Sequence, residues 1–594
     1  MPTASALHHL QDLVQRLGEH FLRDIAQRFF VALELAHELR EQRKVRLLDV
    51  GGHRRQTSIH RLHEALVGGH DQTVNVRDWR ALTHDGSIAS RLRRGNARRL
   101  WEVAVGGIAA YLSLVVAPCV AGTRLRTVTA SGWLEGRAVI DTGGGPRQRP
   151  QLVGRVAFDV TATRALHART ALRARIGGPF EGGAGACVYD GSHTFQNCSP
   201  AFEAVEAWLE WRTARLDLRG GLQHVAWGRL DGVPPSDLIN PRDYHDPLVD
   251  DAEDRKIGVG AVSATFYLPE LPRLDARELR LQLLWVPFGV PPRLPLLAER
   301  WFPAATRVPD SLRLPATIGG VPLPDRTIRV DFGTANDAPP RTFGRSGGGV
   351  RLGGTLARAD WDVYHYTGPV TAPFVTLDAV LVNRGPVEAS DLEALARLRQ
   401  ESGRVHMTGA DVAAPLGELT LRAEVAWLVD QPVIRSASAV IAPEALTKLP
   451  LPRILRQLAR GQPAPVPLEP VFPQLDLVEW GAGVDTVWQG WQPLLQLNQI
   501  VPLEETRGLL IASPETRLTG LVRKRLLADR LELELRALWA IENGAWVAFP
   551  RASWLISDDL RLRLGYLAIG GPKRSVYGQY KANDSVILQA RWSF

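Results

Sequence analysis

The chain ends in Val586-Ile587-Leu588-Gln589-Ala590-Arg591-Trp592-Ser593-Phe594. In an extended strand successive side chains point to opposite faces. One face then carries Val586, Leu588, Ala590, Trp592 and Phe594, and the other Ile587, Gln589, Arg591 and Ser593. The first is wholly apolar and finishes on two aromatic rings; the second is polar after its first residue. A helix would mix the two sets around its circumference, so the period of two marks a strand with one apolar side.

Upstream the same alternation recurs. Leu531, Leu533, Leu535, Ala537 and Trp539 oppose Arg530, Glu532, Glu534 and Arg536. Leu419, Leu421, Ala423, Val425 and Trp427 oppose Arg422 and Glu424. Leu279, Leu281, Leu283 and Trp285 repeat the apolar set, as do Val205, Ala207, Leu209 and Trp211 against Glu206, Glu210 and Arg212. Leu152, Gly154, Val156, Phe158 and Val160 stand against Arg155, Asp159 and Thr161, and Thr170, Leu172, Ala174 and Ile176 against Arg169, Arg173 and Arg175. Roughly 18 such segments follow residue 130, with no partner helices between them, and many carry Trp near an end. In a soluble sandwich the apolar faces would share a core and the charges would face water. In a membrane barrel the apolar faces meet lipid and the charges line the lumen, and only closure satisfies every strand edge. The pattern predicts an all-β protein, a transmembrane antiparallel β-barrel of about 16–18 strands with long extracellular loops carrying short helices.

Connection lengths support this. Thr163–His167, Arg273–Ala276, Arg358–Asp360, Pro415–Glu418, Ala528–Arg530 and Ser557–Asp559 are tight. Between them run long segments at about 179–200, 230–259, 289–346, 370–403, 431–474 and 571–583. Short periplasmic turns alternating with long extracellular loops is the outer-membrane pattern, and Phe594 falls on the periplasmic side. Asn543-Gly544 predicts one short extracellular hairpin. Glu388–Gln400 and Pro443–Arg460 read as helices within two of the loops.

The amino-terminal part is a different text. Of the 594 residues, 1–122 hold 17 Lys and Arg against 12 Asp and Glu, leaving 54 against 51 for the remainder. The overall charge of +8 is therefore no sign of nucleic-acid binding. Nine of the 15 His precede residue 85, without metal-site spacing, and residues 5–48 have helical apolar spacing (Leu13, Leu17, Phe21, Ile25, Phe29, Leu33). Arg91–Leu100 is basic, Val103–Gly122 is apolar, and Cys119-Val-Ala-Gly122 ends it in small residues. That describes a signal peptide lying far inside the chain. Two readings explain it: translation starts near residue 90–105, or a cytoplasmic extension is joined to a membrane-spanning helix. The first is favoured. The expected organisation is an extension over 1–95, a signal-like segment over 96–122 and the barrel over 123–594.

Cys187 and Cys198 bracket a Gly-rich loop of an exported chain, which predicts a disulfide. No His-Glu-x-x-His or phosphate-loop signature occurs. His167, His193, His224, His245, His365 and His406 have no companion that spacing identifies, so no catalytic residue, metal site or cofactor is assigned.

One stretch is more than scaffold: Gly221-Leu-Gln-His-Val-Ala-Trp-Gly-Arg-Leu-Asp-Gly-Val-Pro-Pro-Ser-Asp-Leu-Ile-Asn-Pro-Arg-Asp-Tyr-His245. It resembles a segment of an uncharacterised family of proteobacterial outer-membrane barrels of about 600 residues. Further matches are Arg404–Asp411, Leu421–Glu424, Gly481–Asp485, Tyr577–Tyr580 and Asn583-Asp584. The resemblance covers residues 130–594 and none of 1–100. It implies location in the outer membrane of a Gram-negative bacterium and movement of apolar or lipid-like compounds alongside envelope transport partners. The terminal Trp592 and Phe594 resemble the signal read by barrel-assembly machinery; Gln589 stands where Gly would fit better.

The residues of this stretch allow two readings. Trp227, Gly228, Arg229, Asp231, Asp237, Asn240, Pro241, Arg242, Asp243 and Tyr244 line a polar site in the lumen or loop. Alternatively the Pro, Asn and Asp residues form turns while Arg229 and Arg242 pin the loop inside the barrel. Asp250, Asp251, Glu253 and Asp254 read as a solvated acidic turn rather than a Ca²⁺ site. The functional classes are a channel or transporter, a plugged barrel serving surface binding or envelope assembly, and a barrel enzyme. Aromatic residues taken as loop residues (Trp301, Phe302, Tyr364, Tyr366) would serve the second.

Overall fold

The structure is a computed structural model describing residues 127–177 and 202–594. Within that range it omits residues 147, 149, 296, 298 and 402 and the stretches 314–316, 319–320, 323–326, 336–342, 386–391, 447–448 and 505–506. The expected extension, the signal-like segment and the Cys187–Cys198 disulfide lie outside the described residues, as does His193.

Eighteen strands form one antiparallel sheet. They are β1 (Thr127–Asp141), β2 (Gln151–Thr161), β3 (Leu166–Gly177), β4 (Phe202–Arg212), β5 (Leu216–Gln223) and β6 (Val259–Tyr267). Next come β7 (Ala276–Val286), β8 (Gly347–Leu356), β9 (Ala359–Pro369), β10 (Arg404–Leu416), β11 (Leu419–Pro432) and β12 (Gln474–Thr486). The last six are β13 (Trp491–Pro502), β14 (Glu515–Leu526), β15 (Leu531–Ala540), β16 (Ala545–Leu555), β17 (Leu560–Gly570) and β18 (Ser585–Ser593). Each strand pairs with its sequence neighbours, and β18 returns to β1 with Trp133 opposite Ser593 and Asp141 opposite Ser585. At that seam Gly132 and Phe594 exchange backbone hydrogen bonds of 2.9 Å. No barrel strand has a free edge, as a bilayer requires.

The faces sort as the alternation predicts. On β15, Leu533, Leu535 and Trp539 are exposed on the outside, whereas Glu534 is 7% exposed on the inside. Trp211, Trp285, Trp427, Trp488, Trp491, Trp546 and Trp554 are likewise exposed, forming outward aromatic anchors. A closed barrel with an apolar exterior and a charged interior is a transmembrane barrel of the Gram-negative outer-membrane kind. Among the described residues no helix is long and apolar enough to cross a membrane.

Local exceptions have physical causes. Val205 was expected outside with Leu209 and Trp211, but it is buried against Ala157 and Ala171. A β-bulge there, where Glu206 pairs Ala171 and Ala204 pairs Leu172, shifts the parity by one residue. Leu392–Gln400, read as helix, is a strand despite its helix-forming composition. It is held between Val375–Asn383, antiparallel, and Thr327–Thr334, parallel. Non-local pairing outweighs propensity there. Helices do occur at Pro443–Leu446 and Leu451–Ala459. Gly544 closes the β15–β16 hairpin at φ +70°.

The long loops build a second, five-stranded sheet in the order Ala464–Val466, Val375–Asn383, Leu392–Gln400, Thr327–Thr334, Ser311–Arg313. Its inner face (Ile328, Val330, Val375, Leu377, Ala394, Ala396, Leu398) packs on Leu294, Phe302, Val440 and Phe472. Its outer face carries exposed ion pairs such as Arg397 with Asp331. Trp301 and Phe302 are buried rather than displayed, and Tyr364 and Tyr366 lie inside β9, each 1% exposed.

Candidate functional site

The lumen is organised by the segment 224–258, which joins β5 to β6. Its base is closed by Asn240. The Asn240 Oδ1 accepts from the Val225 N–H (2.7 Å), and its Nδ2 donates to the carbonyls of Gln223 (3.2 Å) and Ile257 (2.8 Å). Pro241 offers its carbonyl to Ile257 N–H at 2.8 Å. Arg242 and Lys256 share Asp237, at 2.9 and 3.1 Å.

The first half of the segment lies on the wall made by β7–β13. Trp227 is buried against Tyr364 and Tyr366, with ring centroids 5.5 and 6.3 Å away, and its Nε1 donates to Gln282 (3.1 Å). Gly349 makes room: a Cβ there would stand 2.6 Å from the Trp227 ring. Glu424 accepts from the backbone N–H groups of Arg229 (2.9 Å), Leu230 (3.2 Å) and Ser236 (2.8 Å). This wrap requires Gly228, which has φ +92° and whose Cβ would meet the Glu424 carboxylate at 2.5 Å. Arg229 reaches Asp411 (2.6 Å) and Asp362 (2.8 Å), the latter fully buried and also paired with Arg280 and Arg351. Asp231 accepts from Arg422 at 3.0 Å. At the upper end of this wall the inner face is apolar, not charged as expected. Val259, Leu284, Met407, Leu428, Leu477 and Ile500 form one core with Trp227 and Ile239, because the loop covers them.

The second half crosses to the opposite wall. Asp243 pairs with Arg175 (3.0 Å) and Arg293 (3.2 Å) and accepts from His245 Nδ1 (2.8 Å). Tyr244 N–H donates to the Arg293 carbonyl (3.0 Å), tying this segment to loop 287–346. Burial alone would raise the Asp243 carboxyl, but His245 and the two guanidinium groups hold it well below the usual range. Burial likewise opposes a charged His245, yet the carboxylates of Glu299, 3.6 Å away, and Asp243 raise its pKa. Asp246 is pushed up to about 6 by burial and by Asp250. The acidic turn is solvated at Glu253, which is 72% exposed, while its aspartates are paired. Asp250 meets Arg137 (2.6 Å), Asp251 meets Arg536 (3.1 Å) and Arg551 (3.5 Å), and Asp254 meets Arg155 (3.4 Å).

All ten residues singled out from 227–244 thus lie on one segment, divided among the β7–β13 wall, the loop base and, for Asp243 and Tyr244, the opposite side of the lumen. Arg229 and Arg242 both pair with carboxylates, Arg229 with Asp411 and Asp362 and Arg242 with Asp237. The segment's wall partners Asp362, Asp411, Glu424 and Arg175 were not assigned to the site, nor were Arg137 and Arg551, which meet the acidic turn. His245 gains a carboxylate pair that spacing did not reveal; His365 and His406 meet only Thr408 and Thr367. Among the described residues no group of three or more His, Cys, Asp or Glu could hold a metal ion.

No protein-family model matches the chain, and no curated protein matches it. Solved structures of outer-membrane proteins resemble it at low identity. OpdK of Pseudomonas aeruginosa with vanillate gives a TM-score of 0.40 at 10% identity, over 80% of this chain and 100% of that one. The outer membrane channel DcaP of Acinetobacter baumannii gives 0.33 at 8%, over 79% and 97%. OmpF of Salmonella typhi with daunomycin gives 0.34 at 8%, over 79% and 97%.

Proposed function

We propose that the protein is an outer-membrane channel or transporter whose passage is narrowed by its own segment 224–258. The observation that carries this is the segment's placement: it runs through the lumen and is held by opposite charges on the two walls. A barrel of this strand number can enclose an aqueous channel, and a polar, ionic interior suits hydrated solutes. The apolar or lipid-like cargo implied by the resemblance over 221–245 is less well served, because Arg137, Arg155, Arg563 and Arg591 dominate one wall. Lipid meets the outer face, Trp592 and Phe594 supply the assembly signal, and envelope transport partners belong to the same reading. The purified barrel in a planar bilayer is expected to give discrete conductance steps. A silent barrel would refute the channel.

A second reading, a plugged barrel for surface binding or envelope assembly, draws on the five-stranded loop sheet with its own apolar core. A silent barrel whose loops still bind cells or polysaccharide would favour it.

A further inference from the structure

Deepening that channel reading, we propose that the acidic stretch 250–254 is a tethered stand-in for the cargo. It occupies an anion-binding site on the lumen wall, from which a multiply charged carboxylate or phosphate solute displaces it.

Three observations converge. First, the stretch fits the wall as a ligand would. Asp250, Asp251 and Asp254 reach arginines on β1, β2, β15 and β16, and the Asp254 backbone carbonyl accepts from Arg173. No apolar residue of 250–254 is buried, so charge rather than packing seats it. Second, the recess bounded by Arg137, Arg173, Arg175, Arg591, Asp250 and Asp254 retains only about 10 Å³ of free space. That is near the least one water needs, so the carboxylates already fill the site. Third, the wall has binding capacity beyond what the stretch uses. Arg137 and Arg175, 6% and 5% exposed, each keep a buried Nε–H with no acceptor among the described residues. Among the described residues Arg563, on the inward face of β17, hydrogen-bonds only the neutral Ser553 and Gln589, both at 3.4 Å. An arginine fork accepts carboxylate and phosphate oxygens alike, so a free polyanion competes for the groups that hold the loop. The opposite half of segment 224–258 is fixed by backbone hydrogen bonds to Glu424, so release on this side leaves the loop attached.

The test is titration calorimetry of the folded full barrel with citrate, pyrophosphate and, as control, chloride, alongside conductance. Asp250→Asn with Asp254→Asn is expected to bind citrate or pyrophosphate about tenfold more tightly than the native barrel, with no such gain for chloride. Adding Arg563→Gln should remove most of that gain. Preference for citrate assigns a carboxylate site, and preference for pyrophosphate a phosphate site. If the double variant does not fold, Asp254→Asn alone should give a smaller gain in the same direction. Unchanged or weaker polyanion binding in the folded variants overturns the proposal, as does a gain that survives Arg563→Gln intact. Tightened binding without conductance would instead keep the site and remove the channel reading.

Discussion

The two walls of the lumen hold one segment by different physics. On β7–β13 the attachment is directional: three backbone N–H groups converge on Glu424, Gly228 supplies a conformation other residues resist, and Trp227 fills a slot opened by Gly349. On β1–β3 and β15–β16 it is made by guanidinium–carboxylate pairs whose partners other ions can replace. The first kind of contact loses buried amides when broken and is costly. The second exchanges one guanidinium–anion pair for another. The difference makes one wall an anchor and the other a release face.

The largest effect is expected at the anchor. Glu424→Ala leaves two buried amides and one half-buried amide without their acceptor, at about 1–3 kcal/mol for each buried one, and should expose residues 224–258 to protease in an otherwise folded barrel. Gly228→Ala should act in the same direction, whereas Arg155→Gln on the release face should not. Equal protection in Glu424→Ala and native protein would erase the distinction between the walls.

Next in size is the outer face. Leu533→Arg places a cation toward lipid at a cost of about 2–4 kcal/mol near midplane, and heat-resistant folded barrel should fall sharply. The inner face of the same strand is not uniformly tolerant. Glu534 sits among Arg523, Arg536 and Arg551, so Glu534→Lys should also assemble poorly, while the more accessible Glu532→Lys should fold and shift ion selectivity toward anions. If Glu534→Lys folds as well as Glu532→Lys, the release face tolerates unpaired charge.

The pH dependence is smaller. His245 has a raised pKa in the folded chain, so its contribution is fully present below its ordinary value near 6.5 and is lost as pH rises through the folded value. Asp243 has the opposite sign: its contribution is present above about 4 and lost as pH falls. Protease protection of segment 224–258 should therefore be greatest between these limits and decline on the alkaline side. His245→Gln should flatten the alkaline limb; a native barrel with no such limb would refute the assignment. Smallest is Arg422→Ala at the rim of the anchoring wall, where Asp231 is 59% exposed, with an expected loss of no more than about 1 kcal/mol in unfolding.

Much of this was legible in the chain. Period-two alternation separated Leu533 and Leu535 from Glu532 and Glu534, and the loop lengths placed the turns, because both depend on local backbone geometry. The pattern could not count residues through a bulge, so Val205 was put on the wrong face. Nor could it see that Leu392–Gln400 would be recruited into a sheet by strands from two other stretches. The same limit governs the site. Sequence alone determined that Trp227–Tyr244 is rich in turn formers and charges, and that Glu424 points inward. Only the tertiary structure decided which inward charge meets which loop residue. Arg229 and Asp411 are separated by 182 positions and Arg536 and Asp251 by 285, and closing the barrel is what brings them within hydrogen-bonding distance.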